Sequence, residues 1–348
     1  MAERLISIPS VSRDRKNCRK ILSMVKDLFG NYHIDEFEKD GVESLLIYKG
    51  RGKVRRFKVI LNIHLDVVEG EKSQFSPVQK SGRLYGRGAS DMKASAAVIM
   101  LVFLEIADKV SYPLALQITT DEEIGGFNGT MHQIEKGVSA EFAIAGEPTN
   151  LDIAYKAKGV LWLRITAKGK SAHSAYPWKG DNAVLKMNKF INKISRMFEF
   201  PEKEEWVSTF TPSFISTDNK TFNTVPDSCS LAVDIRFTPD QKNILDKIKK
   251  ILPRDFQIDV LLNEPSAYIS KRNPFTAKLK QTAEKMLGRK VRLYGVQGAS
   301  DIRHFSRIGK GGVEFGPVGG GSHTKDEWVD INSLKDYYYI LKKYLAEI

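Results

Sequence analysis

Five short clusters of donor residues stand out along the chain: His64-Leu65-Asp66, Asp91 within GRGASDM (86–92), Asp121-Glu122-Glu123, Glu147 in GEPT, and His323 in GSHTKDEW. Imidazole nitrogen and carboxylate oxygen are donors that Zn²⁺ accepts, and a catalytic zinc keeps one position for water. Asp91 lies in a glycine-rich turn before an apolar run of helix length at 93–106. Backbone donors at a helix start favour an anion, and a buried carboxylate held there calls for a cation. With Asp91 bridging two ions, His64 and Glu147 on one and Glu123 and His323 on the other, each ion has three protein ligands. Three carboxylates against two Zn²⁺ leave one positive charge, which a metal-bound hydroxide neutralises. Such a pair lowers the pKa of its water and clamps a tetrahedral intermediate. Asp66, two residues beyond His64 on the same side of a strand, can accept the other imidazole N–H and orient the ring. In the Glu122-Glu123 pair the side chains point in different directions, so one binds metal while the other stays free as general base.

The elements that must position these residues follow from apolar patterning. A helix is expected at 15–29, with Ile21, Leu22, Val25, Leu28 and Phe29 at helical spacing and Ser12 or Asp14 as cap. Strands are expected at 44–48, 57–68, 114–119, 142–145 and 312–315, with helices at 93–106, 130–136 and 331–345. The run FKVILNIHLDVV is nearly all apolar until His64, as in a central strand covered on both faces. His64, Glu122/Glu123, Glu147 and His323 each fall at, or within one loop of, the carboxyl end of an expected strand. In an open α/β sheet those ends share one edge, where ligands bind.

The middle of the chain has a different rhythm. Strands at 159–168, 211–217, 229–238 and 256–262 alternate with helices at 182–198 and 241–252, a β-α-β-β-α-β order of ferredoxin-like type. The expected architecture is an α/β catalytic domain with a central mixed sheet, built from 1–158 and 264–348, carrying an inserted domain at 159–263.

Size, composition and charge narrow the class. A chain of 348 residues with 42% hydrophobic and 28% charged residues buries a full core. No apolar run is long enough to span a bilayer, and the first residues carry no basic-then-apolar signal pattern. Cys18 and Cys229 are the only cysteines, which excludes a disulfide framework or thiolate zinc site and suits a cytoplasmic setting. The net charge of +12, densest at 49–58 (KGRGKVRRFK), raises an acidic partner such as nucleic acid. The basic residues are spread over the whole chain without a nucleic-acid-binding signature, so a solvated surface is the preferred reading. Neither GxSxG nor HExxH occurs. KGKS at 168–171 imitates the end of a phosphate-binding loop, but Arg164 stands where its first glycine should be. His33, His132 and His304 lack a carboxylate cluster at ligand spacing and are read as structural.

The ordered motifs HLDVV, GRGASDMK, TTDEEIGG, GEPT, KGKSAHSAYP, FNTVPD, VDIRF, GASDIR and GSHTKDEWV span essentially the whole chain. In that order they resemble the co-catalytic zinc amidohydrolases and peptidases, a family that includes acetylornithine deacetylase, succinyl-diaminopimelate desuccinylase, aminoacylase and glutamate carboxypeptidase. The resemblance implies metal ligation by His64, Asp91, Glu123, Glu147 and His323, with Glu122 as general base and Asp66 as orienter. It implies two Zn²⁺, with Co²⁺ or Mn²⁺ as substitutes, and a zinc-dependent exopeptidase-like domain whose insertion is a lid that forms a homodimer. His173 in SAHSAYP resembles a histidine that reaches the active site, commonly from the partner subunit, and stabilises the oxyanion. Arg236 is a candidate clamp for a substrate carboxylate, with Asn223 assisting and Arg303 as a second candidate.

The implied reaction is hydrolysis of the amide bond of an N-acyl amino acid; a metallo-carboxypeptidase or dipeptidase of the same architecture is the alternative. The short loop between Glu147 and Lys158 resembles acetylornithine deacetylase, whereas HSAYP followed by Asp181-Asn182 resembles the desuccinylases; the reading leans to the deacetylase type. From another class, a basic nucleic-acid-binding or regulatory protein on an inactive scaffold competes, and the intact ligand set argues against it. An acidic amino-group carrier protein is a minor alternative partner.

Overall fold

The computed structural model describes residues 1–50 and 52–348; Arg51, within the basic run 49–58, lies outside the described residues. The chain divides into two compact units. One comprises Met1–Lys156, Ala267–Gly295 and Ser300–Ile348, and the other Ala157–Ser266 with Val296–Ala299. That last short piece falls within the segment the sequence assigns to the catalytic part.

The first unit is built on a nine-stranded mixed sheet. At its centre Leu114–Thr119, Arg56–His64, Ser139–Ala145 and Gly312–Glu314 run side by side and parallel. Leu114–Thr119 is buried at every position, as a strand covered on both faces must be. Helices Arg15–Leu28, Lys93–Ile106, Pro274–Leu287 and Ile331–Glu347 contribute Leu22, Phe103, Leu279 and Leu341 to the same apolar core. Polar side chains inside this sheet are satisfied by one another. Asn62 donates to Gln117 at 3.0 Å and Thr130 at 3.2 Å, Gln117 to Gln133 at 3.0 Å, and Gln133 to Ser44 at 3.0 Å.

One expectation needs correction. The strand expected over 57–68 ends at His64, so Asp66 does not follow His64 along a ladder. Leu65 donates to the Thr119 carbonyl at 2.9 Å, and Val67 pairs instead with Val11. The N-terminal segment therefore bends the chain here, and it is this turn that brings Asp66 back toward the imidazole.

A second sheet in this unit carries little apolar alternation in its sequence. Gly319–Gly320, Trp328–Asp330, Arg83–Tyr85 and Val78–Lys80 form four short strands, which join the segments leading into Asp91 and out of His323.

The second unit is a four-stranded antiparallel sheet in the order Thr209–Ser216, Ser228–Phe237, Gly159–Lys168, Phe256–Glu264. Numbered along the chain, that order is 2-3-1-4, with helices Ala183–Ser195 and Ile244–Ile251 as the two crossovers, a ferredoxin-like arrangement. Leu161, Leu163, Ile165, Leu231, Val233 and Ile235 face Met187, Phe190 and Ile248 in its core. The sheet ends on an edge strand that exposes Phe214 and Ile215.

Candidate metal centre

The parallel strands deliver candidate ligands at one edge. His64 is the last residue of its strand, Glu147 follows the strand ending at Ala145, and Glu122 and Glu123 follow the strand ending at Thr119. The Glu122–Ile124 turn is short and closes on Gly125 in the left-handed conformation. Asp91 comes from the loop before helix Lys93–Ile106, and His323 from a loop in which it adopts φ +65°.

These side chains converge in two groups that share Asp91. His64, Asp91 and Glu147 form one group and Asp91, Glu123 and His323 the other, each with ligand atoms within 4.8 Å of one another. Nε2 of His64 stands 3.0 Å from Oδ1 of Asp91 and 3.7 Å from Oε1 of Glu147. Nε2 of His323 stands 3.4 Å from Oδ2 of Asp91 and 3.0 Å from Oε2 of Glu123. His33 lies 3.1 Å from Asp35 and His132 3.6 Å from Glu135, away from both groups. Buried His304 lies 3.0 Å from the Gly125 carbonyl.

The donors fit a pair of divalent cations. Glu123 Oε1 is buried with no hydrogen-bond partner among the described residues, a costly state for a carboxylate unless a cation meets it. Burial, reinforced by the charge of Asp91, pushes the Glu147 carboxyl well above its usual range. Burial opposes the charged form of Asp91 as well, but hydrogen bonds from His323 and His64 hold it far below that range. His323, hydrogen-bonded to Asp91 and Glu123, is pushed up to about 10. In His64 the cost of burial is outweighed by Asp66, Asp91 and Glu147, which raise it well above an ordinary histidine. The carboxylates of the cluster thus favour positive charge beside them.

Asp66 sits beneath this layer. Its Oδ1 is 3.4 Å from Nδ1 of His64, whose nearest partner is the Asp66 carbonyl at 3.0 Å. The carboxylate also accepts the backbone N–H groups of Glu122 and Glu123, both at 3.2 Å, and the Ser12 hydroxyl at 2.7 Å. Glu122 belongs to neither ligand group, and burial raises its carboxyl well above the ordinary range against the pull of His64 and Arg303.

The sequence reading gave the loop's backbone donors to Asp91, and the structure gives them to Glu327. Glu327 Oε1 accepts the N–H groups of Gly88, Ser90 and Asp91. Patterning alone passes over Glu327, although an acid between Asp326 and the apolar pair Trp328-Val329 is a usable sign of a buried carboxylate. Lys93 is also missed by patterning; it is wholly buried, donates to the Ile8 carbonyl at 2.7 Å and is lowered by burial to about 7.

Arg303 is buried and donates to the carbonyls of Ser300 at 2.8 Å and Gly125 at 2.5 Å, bracing the turn after Glu122 and Glu123. In the second unit, Arg236 offers Nε and Nη2 to both oxygens of Asp234, at 2.8 and 2.9 Å. Asp234 thereby occupies the two-pronged geometry assigned to a substrate carboxylate. His173 is exposed, and its Nδ1 accepts the Ala175 N–H at 3.1 Å; the neutral ring then carries its proton on Nε2. The Asn223 carbonyl accepts the Ser174 N–H at 2.8 Å, which ties that loop to the His173 loop.

Residues 60–347 match peptidase family M20/M25/M40. The chain belongs to this family. It is a metal-dependent hydrolase acting on amide bonds, with a mixed-sheet α/β fold. Relatives named succinyl-diaminopimelate desuccinylase include one from Bordetella parapertussis, 28% identical and covering 99% of this chain and 96% of its own length. Another, from Pelagibacter ubique, is 29% identical and covers 99% and 98%. Among solved structures, aminopeptidase PepT from Bacillus cereus superposes with a TM-score of 0.80 at 18% identity, over 99% of this chain and 96% of that one. A metallo-carboxypeptidase from Sulfolobus solfataricus gives 0.75 at 16%, over 99% and 97%; these two share the fold. No helix among the described residues is long and apolar enough to cross a membrane.

Proposed function

We propose that this chain is a dinuclear-zinc hydrolase that cleaves the amide bond of an N-acyl amino acid. The carrying observation is the sharing of Asp91: His64 approaches one of its oxygens at 3.0 Å and His323 the other at 3.4 Å. Each of the two groups would hold one Zn²⁺, for which Co²⁺ or Mn²⁺ would substitute; bound there, the pair would polarise the scissile carbonyl and acidify a water.

The chain's own residues do the rest. Glu122, set beside the ligands yet outside both groups, takes the proton of the attacking water and returns it to the departing amine nitrogen. Asp66 holds the His64 ring and the Glu122–Glu123 backbone together. His173 offers Nε2–H to the oxyanion from the partner subunit of a homodimer. The exposed edge strand with Phe214 and Ile215 supports such a dimer, since unpaired strand edges invite a second chain. Arg236 takes the substrate carboxylate if Asp234 yields part of its hold; Arg303 acts as a brace rather than a clamp, and Asn223 as support for the His173 loop. The buried thiols of Cys18 and Cys229 support a cytoplasmic setting.

The names of the relatives move the choice of acyl group from acetyl toward succinyl. Assaying N-succinyl-diaminopimelate, N-acetylornithine and a dipeptide panel side by side tests this. Turnover of the N-acyl substrates well above the dipeptides is expected; a strong preference for dipeptides would replace this reading with a dipeptidase.

A further inference from the structure

Two loops with no ladder of the main sheet behind them, those of Asp91 and His323, supply shared and exposed ligands, and one side chain joins them. Glu327 is buried and follows His323 by four residues. Its Oε1 receives three backbone N–H groups, from Gly88, Ser90 and Asp91, each at 3.0 Å, and its Oε2 receives Nη1 of Arg87 at 2.6 Å. Arg87 in turn donates to the Glu69 carbonyl at 3.2 Å, and the Glu327 carbonyl accepts the Gly86 N–H at 3.1 Å. The His323 loop is held to the same segment from its other side. Gln74 donates to the carbonyls of Thr324 at 2.9 Å and Lys325 at 3.3 Å, and Ser322 meets Ser90 at 3.1 Å.

The two ligand groups do not depend equally on this link. His64 and Glu147 stand on the ends of adjacent parallel strands, and His64 is fully enclosed. The His323 side chain is 52% exposed and its loop bends through φ +65°. The position of His323 relative to Asp91 therefore rests on contacts between the two loops, of which the charged acceptor with three N–H donors is the strongest.

We infer that Glu327 is the positioning residue that holds the Asp91 loop against the His323 loop and so sets the cation affinity of the Asp91/Glu123/His323 group. The inference rests on the two-ion reading. Replacing Glu327 by Gln keeps the shape but removes the charge that three N–H groups and Arg87 share, and turns an amide NH₂ toward one set of donors. The bridging carboxylate then shifts relative to His323 while the sheet still backs its contact with His64.

The test is a Zn²⁺ titration of the full-length apoprotein against a chelating indicator, for wild type, Glu327→Gln and His323→Ala. Two affinities are expected for wild type. Glu327→Gln should lower the weaker one about 10–100-fold and leave the tighter one within about threefold, the same affinity that His323→Ala abolishes, with the apoprotein's circular dichroism unchanged. Should the Gln variant fail to fold, Glu327→Asp, which keeps the charge for Arg87 but withdraws the oxygen by one methylene, is read the same way. Wild-type affinities in the variant would overturn the inference and leave the two-ion reading standing. Equal weakening at both sites, in step with lost stability of the apoprotein, would make Glu327 a structural residue only and overturn it too. A wild-type protein binding fewer than two ions would sink the two-ion reading and this inference with it.

Discussion

Asp66 and His64 face each other across a turn rather than along a strand, with Oδ1 of Asp66 3.4 Å from Nδ1 of the imidazole. The same carboxylate accepts the N–H groups of Glu122 and Glu123. One side chain thus contacts an imidazole from one strand and the turn after another. Asp66→Asn, which puts an NH₂ where an acceptor is needed, should weaken cation binding about 10–100-fold. A chelator competition titration reads this directly; wild-type affinity would reduce Asp66 to packing.

Glu122→Gln should keep both cations and lose turnover by about 10²–10⁴. Metal content and kcat measured on one preparation separate the effects. Retained turnover would remove Glu122 from the proton transfer.

His64, Glu123 and Glu147 were legible as candidate ligands because each ends or follows a strongly patterned strand, and Asp91 because an apolar helix follows it. Leu114–Thr119 and Arg56–His64 are apolar runs, and an acid or histidine at the end of such a run is conspicuous. The supporting layer was less legible for a physical reason. Glu327, Arg87 and Ser12 act through long-range contacts between loops, which leave no period in the chain. The edge strand His33–Lys39 reads HIDEFEK, with charges in place of apolar alternation, and the Asp91-to-His323 connection runs through strands of two and three residues. The ferredoxin-like order of the second unit was readable because Gly159–Lys168 and Ser228–Phe237 alternate strictly between buried and more exposed positions along much of their length.

Acid should weaken the fold through Asp152. Burial alone would raise its carboxyl, but hydrogen bonds from Arg289 and Arg292 hold it below the usual range. A folded-state value below the unfolded one adds stability above about pH 4, and this is lost as pH falls through the folded value. Asp152→Asn should therefore cost about 1 kcal/mol at pH 7, at the low end for a charged pair because Arg292 is largely exposed. The gap from wild type should narrow as pH falls through the depressed carboxyl value. Urea midpoints at pH 7 and across the acid range measure it.

Gly126 has no room for a side chain. A Cβ there would lie 1.9 Å from Oδ1 of Asp301, and the residue adopts φ +62°. Its N–H also closes the Glu122–Glu123 turn on the Asp121 carbonyl at 2.7 Å. Gly126→Ala should destabilise the protein by about 1–3 kcal/mol, lowering the melting temperature, and reduce kcat by moving Glu122. A variant with wild-type melting and turnover would show that the turn has slack.

His173→Ala should lose most of its turnover, about 10²–10³-fold, with metal content unchanged. Mixing this inactive variant with inactive Glu122→Gln should restore part of the activity if His173 acts on the partner's site, because a mixed dimer then holds one intact set. No recovery on mixing, with both variants dimeric, would confine the histidine to its own chain.

The most direct test of the account is anomalous diffraction at the zinc edge from crystals grown with excess Zn²⁺. Two peaks about 3.5–4 Å apart are expected, one among His64, Asp91 and Glu147 and the other among Asp91, Glu123 and His323, with Asp91 touching both. A single peak, or density that leaves Asp91 bound to neither ion, would contradict it.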